Sequence, residues 1–351
     1  MAQSSFGGFT QPKKDGGKSP YYSTQQLDEN RYKIITQGFN SLLWTNNNSS
    51  AFTYANAISI GVDGSIYGIS SGYSPTLYKI NNLGTAVLTD FTLGTNSGTT
   101  NYPTCVHADK FNNIYVGAGN MGTAGGVFKF TTSLGFISSL TDVSNVSFIT
   151  TDIVGSLYVT YSVGAGAKNV RKLTSSLTEV WSLTDIGSPN CIAVAPSGNI
   201  YVTYNQSAGT KNVRKLNSSG SEVWSLTDVG SPRSIAIDKD ENIYIAYNGG
   251  NGTKILRKLD SNGNEIWSVL GTSTFNNGVK VQVDSLGNIH FGTYGNPLYR
   301  RYYDNGQEAQ TGVVTGSTSF IDCATYDDFL YIALNGIGIQ QRYKSLKIKL
   351  N

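Results

Sequence analysis

The feature that most constrains this chain is an internal repeat with a period of 43 residues. The stretch NVRKLTSSLTEVWSLTDIGSP at 169–189 recurs as NVRKLNSSGSEVWSLTDVGSP at 212–232. Trp181, Trp224 and Trp267 keep the same interval. A fixed period of this length indicates an architecture in which one small unit stacks on copies of itself.

Two further sequence columns give the number of copies. A small or polar residue, then an aliphatic residue, then Tyr or His, occurs seven times: GSIY at 64–67, NNIY at 112–115, GSLY at 155–158, GNIY at 198–201, ENIY at 241–244, GNIH at 287–290 and DFLY at 328–331. A basic residue follows each of them: Lys79, Lys129, Lys172, Lys215, Lys258, Arg301 and Arg342. Both columns therefore predict seven repeats.

Each copy divides into four short strands separated by Gly, Asn and Asp turn residues. In the clearest copy these are CIAVA (191–195), NIYVTY (199–204), NVRKL (212–216) and EVWSL (222–226). We therefore predict an all-β fold, a seven-bladed β-propeller with four antiparallel strands per blade. The last copy lacks an outer strand, and SLLWT at 41–45 has the spacing to supply it, so we expect an N-terminal strand to close the last blade.

The segment that precedes the repeats has a different composition. Residues 1–32 are rich in Gly, Ser, Gln and Lys and carry no core-forming pattern, so we expect an extended polar arm, with the propeller over 33–351. We expect the arm to anchor the chain to other subunits of a larger assembly. Its candidate contact residues are Lys13, Lys14, Tyr21 and Tyr22.

Bulk properties exclude several classes of protein. The net charge of +3 is too small to indicate nucleic-acid binding. No window is apolar enough for a transmembrane helix, and the N-terminus lacks the apolar core of a signal peptide, so we predict no membrane insertion. Cys105, Cys191 and Cys323 have the spacing of neither a zinc site nor a disulfide framework.

Few residues have the pattern of a catalytic or metal-binding site. His290 occupies the column that Tyr fills in the other copies, which favours an aromatic packing position. His107 lies on an inner strand, where it is able to face the central channel, but it has no second histidine nearby. No nucleophile, phosphate-loop or dinucleotide motif is present. We therefore expect no metal, no cofactor and no enzymatic activity.

Several repeated polar residues have structural explanations. Asp63, Asp109, Asp238 and Asp284 each begin a turn, where an Asp side chain caps its own backbone. The basic column, doubled by Arg171, Arg214, Arg257 and Arg300, offers a polyanion a positive ring, but pairing with Glu179, Glu222 and Glu265 on the neighbouring strand is the favoured interpretation. For Trp44, Trp181, Trp224 and Trp267 we expect packing on the outer strands.

The repeats resemble those of the NHL-like bacterial β-propeller family. The matching stretches are SPRSIAIDKDENIYIAY at 231–247 and SPNCIAVAPSGNIYVTY at 188–204. The resemblance covers residues from about 33 to the end of the chain. It implies the propeller fold and no particular activity, because propellers support many functions.

Recognition is expected on the face that carries the second-to-third strand loops and the links between blades. These segments are rich in Gly, Asn, Ser and Tyr, a composition suited to adaptable binding surfaces. The candidate partner-binding residues are Tyr161, Tyr204, Asn205, Tyr247 and Asn248.

The overall composition resembles that of bacteriophage virion proteins. We therefore predict a non-enzymatic component of a virion, such as a tail, fibre or capsid-decorating protein, located in the particle and binding a host surface or another virion protein. The first alternative is a free-standing bacterial propeller that binds carbohydrate or protein, in the cytoplasm or exported without a classical signal peptide. The second is a hydrolase or lactonase with its site in the channel.

Overall fold

The computed structural model describes the chain as β-strands and connecting turns, with no helix in the described residues. The residues described are 22–25, 32–37, 42–46, 55–70, 76–81, 91–92, 101–120, 125–143, 145–162, 168–184, 187–204, 211–227, 230–294, 296–312, 319–327, 329–334, 338–343 and 346–349. Within them the strands are β1 (Tyr22–Gln25), β2 (Tyr32–Gln37), β3 (Leu42–Asn46), β4 (Ala55–Ile60), β5 (Ile66–Ser70), β6 (Thr76–Ile80), β7 (Phe91–Thr92), β8 (Asn101–Ala108), β9 (Asn113–Asn120), β10 (Gly126–Thr131), β11 (Phe136–Leu140), β12 (Val146–Thr151), β13 (Leu157–Tyr161), β14 (Val170–Leu173), β15 (Glu179–Leu183), β16 (Pro189–Val194), β17 (Ile200–Tyr204), β18 (Val213–Leu216), β19 (Glu222–Leu226), β20 (Ser231–Ile237), β21 (Ile243–Asn248), β22 (Lys254–Leu259), β23 (Glu265–Leu270), β24 (Gly278–Val283), β25 (Ile289–Thr293), β26 (Tyr299–Tyr302), β27 (Glu308–Gly312), β28 (Phe320–Tyr326), β29 (Phe329–Leu334), β30 (Gly338–Tyr343) and β31 (Leu346–Lys349).

These strands form seven four-stranded antiparallel sheets, which are the blades of a β-propeller. Blades 1 to 6 are consecutive groups of four strands, from β4–β7 to β24–β27. The first strand of each blade packs against the first strand of the next, and β28 packs against β4, so the inner strands close a ring around a central channel. The predicted fold class is confirmed.

The last blade is closed as the sequence predicts. Its sheet has the order β28, β29, β30, β3, so the N-terminal strand Leu42–Asn46 supplies the outer strand. This pairing removes an open edge and joins the two ends of the repeat array. A ring closed in this way has no free terminal blade.

The termini also form a sheet that the sequence analysis did not anticipate. Tyr22–Gln25 pairs with Tyr32–Gln37, which pairs in turn with Leu346–Lys349. The expectation of an extended arm over 1–32 is therefore corrected for residues 22–25, which form a strand. The N-terminal strand that joins the propeller begins at residue 42 rather than near 33.

A buried tyrosine with a lysine over its ring recurs inside the blades. Tyr244 is fully buried, and its hydroxyl oxygen lies 2.6 Å from Asp304 Oδ1 and 3.0 Å from Asp238 Oδ2, within hydrogen-bond distance of both carboxylates. Lys258 pairs with Asp304 and places Nζ 5.4 Å from the centre of the tyrosine ring. The same lysine and tyrosine pair recurs in blades 1 to 4 as Lys79 with Tyr67, Lys129 with Tyr115, Lys172 with Tyr158 and Lys215 with Tyr201.

The outer strands are fixed to the following blade by tryptophan. Trp267 Nε1 donates to the carbonyl of Asp304 at 2.9 Å, and its ring lies on Gly306, whose φ is +84°. A Cβ at Gly306 would stand 2.9 Å from that ring, so both the backbone conformation and the contact require glycine. Trp181 on Gly220 and Trp224 on Gly263 repeat the contact. The predicted packing role is confirmed for these three; the side chain of Trp44 lies outside the described residues.

The repeated arginine, glutamate and aspartate residues form the ion pairs and turns that the sequence analysis favoured for them. The second basic column pairs with glutamate on the neighbouring strand: Arg171 with Glu179, Arg214 with Glu222, Arg257 with Glu265 and Arg300 with Glu308. Each predicted turn aspartate accepts a backbone N–H, from Ser65 for Asp63, Phe111 for Asp109, Asp240 for Asp238 and Leu286 for Asp284. These columns therefore build the blades.

Candidate functional site

The two faces of the propeller carry different connections. Because the strands of a blade alternate in direction, the links between blades and the second-to-third strand loops share one face, which we call the mouth face. The first-to-second and third-to-fourth strand hairpins share the other, which we call the hairpin face. Each inner strand begins at the mouth face and runs along the channel.

Every inner strand contains a β-bulge near its beginning. In each case one residue has no partner on the second strand of the blade, between two consecutive register pairs. A bulge turns the extra side chain away from the regular sheet surface. The seven residues at this position, which we call the bulge column, are Asn56, Thr104, Ser147, Asn190, Arg233, Val279 and Ile321.

Part of the bulge column holds neighbouring blades together. Asn190 Nδ2 donates to the carbonyl of Pro232 at 2.6 Å, and Thr104 Oγ1 donates to the carbonyl of Val146 at 2.5 Å. Asn56 makes the equivalent bond at 3.4 Å. In each pair the acceptor is the residue just before the bulge of the next blade. These bonds fix the spacing of the inner strands at the mouth of the channel.

Four members of the column, Asn190 among them, border a cavity of about 490 Å³ on the mouth face. Ser147, Asn190, Arg233 and Val279 belong to the bulge column of blades 3 to 6. The remaining lining residues are Ser231 and Asn248, which face each other across the first two strands of blade 5. The volume is that of a small-molecule site, and the lining is polar with a single aliphatic side chain. We call it the mouth cavity.

The residues one position further along the inner strands form a second layer of the channel. Lys280 pairs with Asp322 at 2.9 Å, and Nζ lies 4.9 Å from the centre of the Phe148 ring, which belongs to the blade opposite. Burial alone would favour the neutral amine, but the Asp322 carboxylate raises the pKa of Lys280. Asp322 also accepts the backbone N–H groups of Ile58 and Cys323. This pair therefore carries a compensated charge and joins blades 6, 7 and 1.

Both histidine rings lie within hydrogen-bond distance of other side chains of the propeller. His290 is fully buried, with Nδ1 2.6 Å from the Tyr299 hydroxyl and Nε2 3.0 Å from Asp284 Oδ2. His107 Nε2 lies 2.9 Å from Thr151 Oγ1, and burial lowers the pKa of His107 to about 4. The inner-strand position predicted for His107 and the packing position predicted for His290 are both observed.

The cysteine side chains are buried thiols. Cys105, Cys191 and Cys323 are all free and buried. Burial raises the pKa of Cys105 to about 12 and also raises the pKa of Cys191. A thiol with a raised pKa is a poor nucleophile at neutral pH, so these side chains act as packing groups.

The predicted partner-binding residues separate into three groups. Tyr161, Tyr204 and Tyr247 are buried, because each side chain packs between blades and contributes to a hydrophobic core cluster. Their side chains are therefore not available on the mouth face, which corrects the expectation. Asn248 is exposed and lines the mouth cavity. Its role in binding stays a prediction.

The other five candidates cannot be placed against the site. Asn205, Lys13, Lys14 and Tyr21 lie outside the described residues. Tyr22 belongs to β1, with only its backbone described. Their proposed contacts with partners stay predictions.

The sequence analysis did not single out the bulge column. The signal was present, because the two nearly identical repeats end in SPN and SPR, so they differ at the residue that becomes Asn190 in one copy and Arg233 in the other. The two links TDIGSP and TDVGSP otherwise differ only by the similar residues Ile186 and Val229, so the change from Asn190 to Arg233 marks a site free to vary. Recognising it as a bulge required the strand register.

The solved structures with a similar fold include β-propeller lyases. The virginiamycin B lyase of Staphylococcus aureus superposes with a TM-score of 0.69, at 13% identity over 86% of this chain and 97% of that one. A streptogramin B lyase gives 0.68, at 14% identity over 85% and 96%. A catalytically inactive histidine-to-alanine variant of the S. aureus enzyme with quinupristin gives 0.70, at 14% identity over 89% and 99%. At these identities the likeness shows the fold alone.

No protein-family model matches the sequence. No curated protein matches it either. The propeller part of the sequence-based interpretation is confirmed, whereas membership of the NHL family and an origin in a phage particle stay predictions. The expectation that the chain is not an enzyme is contradicted, because the folds that it resembles over nearly their full length are lyases.

Two further features of the described residues concern membrane-spanning helices and metal-binding groups. In the part of the chain that the structure describes, no helix has the length and apolar character to span a membrane. The same residues contain no group of three or more His, Cys, Asp or Glu side chains placed to hold a metal ion.

Proposed function

We propose that this protein is a recognition propeller that binds a carbohydrate ligand in the mouth cavity. The observation that carries the proposal is the bulge column, in which seven equivalent positions project from the inner strands and four of them line one cavity. The lining hydroxyl and amide groups match the hydroxyl groups of a sugar in number and polarity.

This assignment is supported by a division among the repeated positions: the residues that stabilise the blades are different from those that line the cavity. The Tyr, Lys, Arg and Trp columns are occupied by contacts within and between blades. The bulge column differs in every blade except for the two asparagines, and its cavity-lining members lie on a rigid ring of inner strands. A variable set of side chains on a rigid frame is the usual arrangement of a binding site.

A glycan array tests the proposal when wild type is compared with Ser147→Trp. The indole would occupy the mouth cavity, and no hydrogen bond of Ser147 to another described residue is lost, so we expect the variant to fold and to lose the bound glycans. Val279→Phe fills the cavity from the opposite side and gives an independent variant. Lys239→Trp, at an exposed position on the hairpin face, is the matched control. Glycan binding that survives both cavity-filling substitutions would refute the mouth cavity as the site.

The lyase likeness favours a second candidate, in which the bound ligand is also converted. The neighbouring structures are named for virginiamycin B and streptogramin B, and one of them contains quinupristin. Incubation of this protein with virginiamycin B, followed by mass spectrometry, tests it. A product that forms with wild type and not with Ser147→Trp would establish this activity; unchanged antibiotic would remove the candidate.

The more specific interpretation as a virion component rests on composition and on the N-terminal arm. It requires that the arm attach the propeller to other proteins of a particle. A deletion that tests it should end at residue 21, because Tyr22–Gln25 is a strand of the terminal sheet. Normal incorporation of the truncated protein into particles would contradict the anchoring role.

A further inference from the structure

We infer that the mouth cavity selects an acidic carbohydrate, with the sugar carboxylate on Arg233 and the sugar ring against Tyr294. The inference rests on the proposed function, because it names the ligand class of the same cavity. It depends on three observations: the Arg233 guanidinium has no carboxylate partner among the described residues, the exposed Tyr294 ring lies beside it, and neutral hydrogen-bonding groups line the same cavity as Arg233.

Arg233 differs from the arginines on the third strands of the blades in how its charge is paired. Arg171, Arg257 and Arg300 each pair with a glutamate on the neighbouring strand. Arg233 is exposed, lines the cavity, and has no carboxylate partner among the residues that the structure describes. Because a guanidinium binds a carboxylate through two parallel N–H···O bonds, an anionic group of the ligand is the partner that this position fits.

The number of positively charged side chains in the cavity favours a ligand with a carboxylate over a ligand with sulfate or phosphate groups. Among the described residues that line the cavity, Arg233 is the one with a basic side chain. Lys280, one position beyond Val279 on the same strand, is already paired with Asp322. A single planar guanidinium matches one carboxylate, whereas sulfated or phosphorylated ligands are usually held by several Arg or Lys side chains.

Tyr294 supplies an aromatic surface next to this charge. It follows β25 at the position that Asn248 occupies at the end of the second strand of blade 5, as the two registers show. Arg233 Cζ lies 5.9 Å from the centre of the Tyr294 ring, which is within the range of a cation–π contact. Tyr294 is 44% exposed, in contrast to the buried Tyr247 of the preceding blade.

The remaining groups of the cavity suit the hydroxyl groups of a sugar. Ser147, Asn190, Ser231 and Asn248 line the same cavity as Arg233 and carry neutral donors and acceptors. None of them adds a charge, so the described part of the cavity is complementary to a ligand with one anionic group and several hydroxyl groups. Hexuronic acids and sialic acids have this combination.

The experiment is isothermal titration of wild type, Arg233→Ala, Arg233→Lys and Tyr294→Ala with matched acidic and neutral sugars. The probes are sialyllactose against lactose, and tetragalacturonate against its methyl ester. We expect wild type to bind at least one acidic probe and to bind its neutral counterpart about tenfold or more weakly, as for the loss of one charge-assisted pair. Arg233→Ala should remove this preference, and Arg233→Lys should restore part of it.

Tyr294→Ala tests the aromatic contact separately. It should weaken acidic and neutral probes by a similar factor, because it removes ring contact and leaves the guanidinium in place, and Tyr294→Phe should restore binding. Lys239→Ala removes one positive charge on the hairpin face and should leave every titration unchanged. Acidic preference that is equal in wild type and Arg233→Ala would overturn the inference.

Failure of this inference is distinguishable from failure of the proposed function. Neutral sugars bound as tightly as acidic ones, and lost in Ser147→Trp, would overturn the acidic ligand class while the mouth cavity stands as a carbohydrate site. Acidic sugars bound equally by wild type and Ser147→Trp would overturn both. Loss of acidic binding in both Arg233→Ala and Ser147→Trp, with folding intact, is the result that we expect.

Discussion

The interior of the blades and the bulge column follow opposite rules. Inside the blades, Tyr244 with Lys258 and Trp267 on Gly306 are contacts that neighbouring blades repeat. In the bulge column, the equivalent positions carry amide, hydroxyl, guanidinium and aliphatic groups. Sequence identity between copies therefore marks the contacts that hold the ring together, and sequence difference marks positions at the mouth of the channel.

The packing between blades explains why interior residues are alike and bulge residues differ. A residue inside a blade contacts a neighbouring copy of almost the same shape, so a change on one side leaves a cavity or a clash. A bulge residue projects into the channel mouth and contacts a neighbour through one hydrogen bond at most among the described residues. Where a bulge residue makes no such bond, its side chain is therefore free to change without disturbing the stacking of the blades.

The largest expected effect is on the blade interior. Tyr244→Ala removes a fully buried ring together with its bonds to Asp238 and Asp304, and we expect the free energy of unfolding to fall by about 3–5 kcal/mol. Tyr244→Phe keeps the ring and should cost about 1–3 kcal/mol. Urea denaturation measures both. A loss smaller in Tyr244→Ala than in Tyr244→Phe would break the assignment of this column to stability.

An inner-strand residue gives a pH-dependent effect. Because burial lowers the pKa of His107 to about 4, the unfolded chain binds a proton below about pH 6.5 that the folded chain does not. The free energy of unfolding should therefore fall by about 1–3 kcal/mol as the pH falls from about 6.5 to about 4. His107→Gln should lack this part of the profile in urea titrations at several pH values. An identical profile for both proteins would assign the acid sensitivity to other groups.

A smaller loss is expected where tryptophan lies on glycine. Gly306→Ala places a Cβ at φ +84° and 2.9 Å from the Trp267 ring, and should lower the free energy of unfolding by about 1–2 kcal/mol. Gly230→Ala is the control, since its Cβ would meet no atom within 4 Å and its φ lies outside the left-handed range. Thermal unfolding of the two variants measures the difference. Equal melting temperatures would show that the contact between Trp267 and Gly306 does not stabilise the ring of blades.

The smallest effect on stability is expected in the bulge column. Arg233→Ala should change the free energy of unfolding by no more than about 0.5 kcal/mol, because the side chain is exposed and unpaired with any described carboxylate. The same substitution should remove the preference for acidic sugars. Denaturation and titration of one preparation test both statements, and a large loss of stability would place Arg233 with the structural columns.

The sequence predicts the fold almost completely because the fold repeats. The Tyr or His column and the basic column give the number of blades, and the spacing of SLLWT gives the closure that β3 provides. The terminal sheet was missed, since the pairing of Tyr32–Gln37 with Leu346–Lys349 joins segments more than 300 residues apart that belong to no repeat.

The site was predicted less well, for a reason visible in its residues. Sequence analysis selected Tyr204 and Tyr247 as loop residues, whereas both lie at strand ends and point into the core. The extra residue of each inner strand is a property of register, and register is not visible in one strand alone. Asn248 was found because it stands one residue beyond the buried tyrosine of its strand.

The most direct test of the account is a crystal structure of the protein with the acidic sugar that it binds most tightly. The account predicts ligand density in the mouth cavity, with the carboxylate about 3 Å from the Arg233 guanidinium and the sugar ring on Tyr294. Density on the hairpin face or on the outer strands, with the mouth cavity empty, would contradict the claim that the variable bulge column is the recognition site.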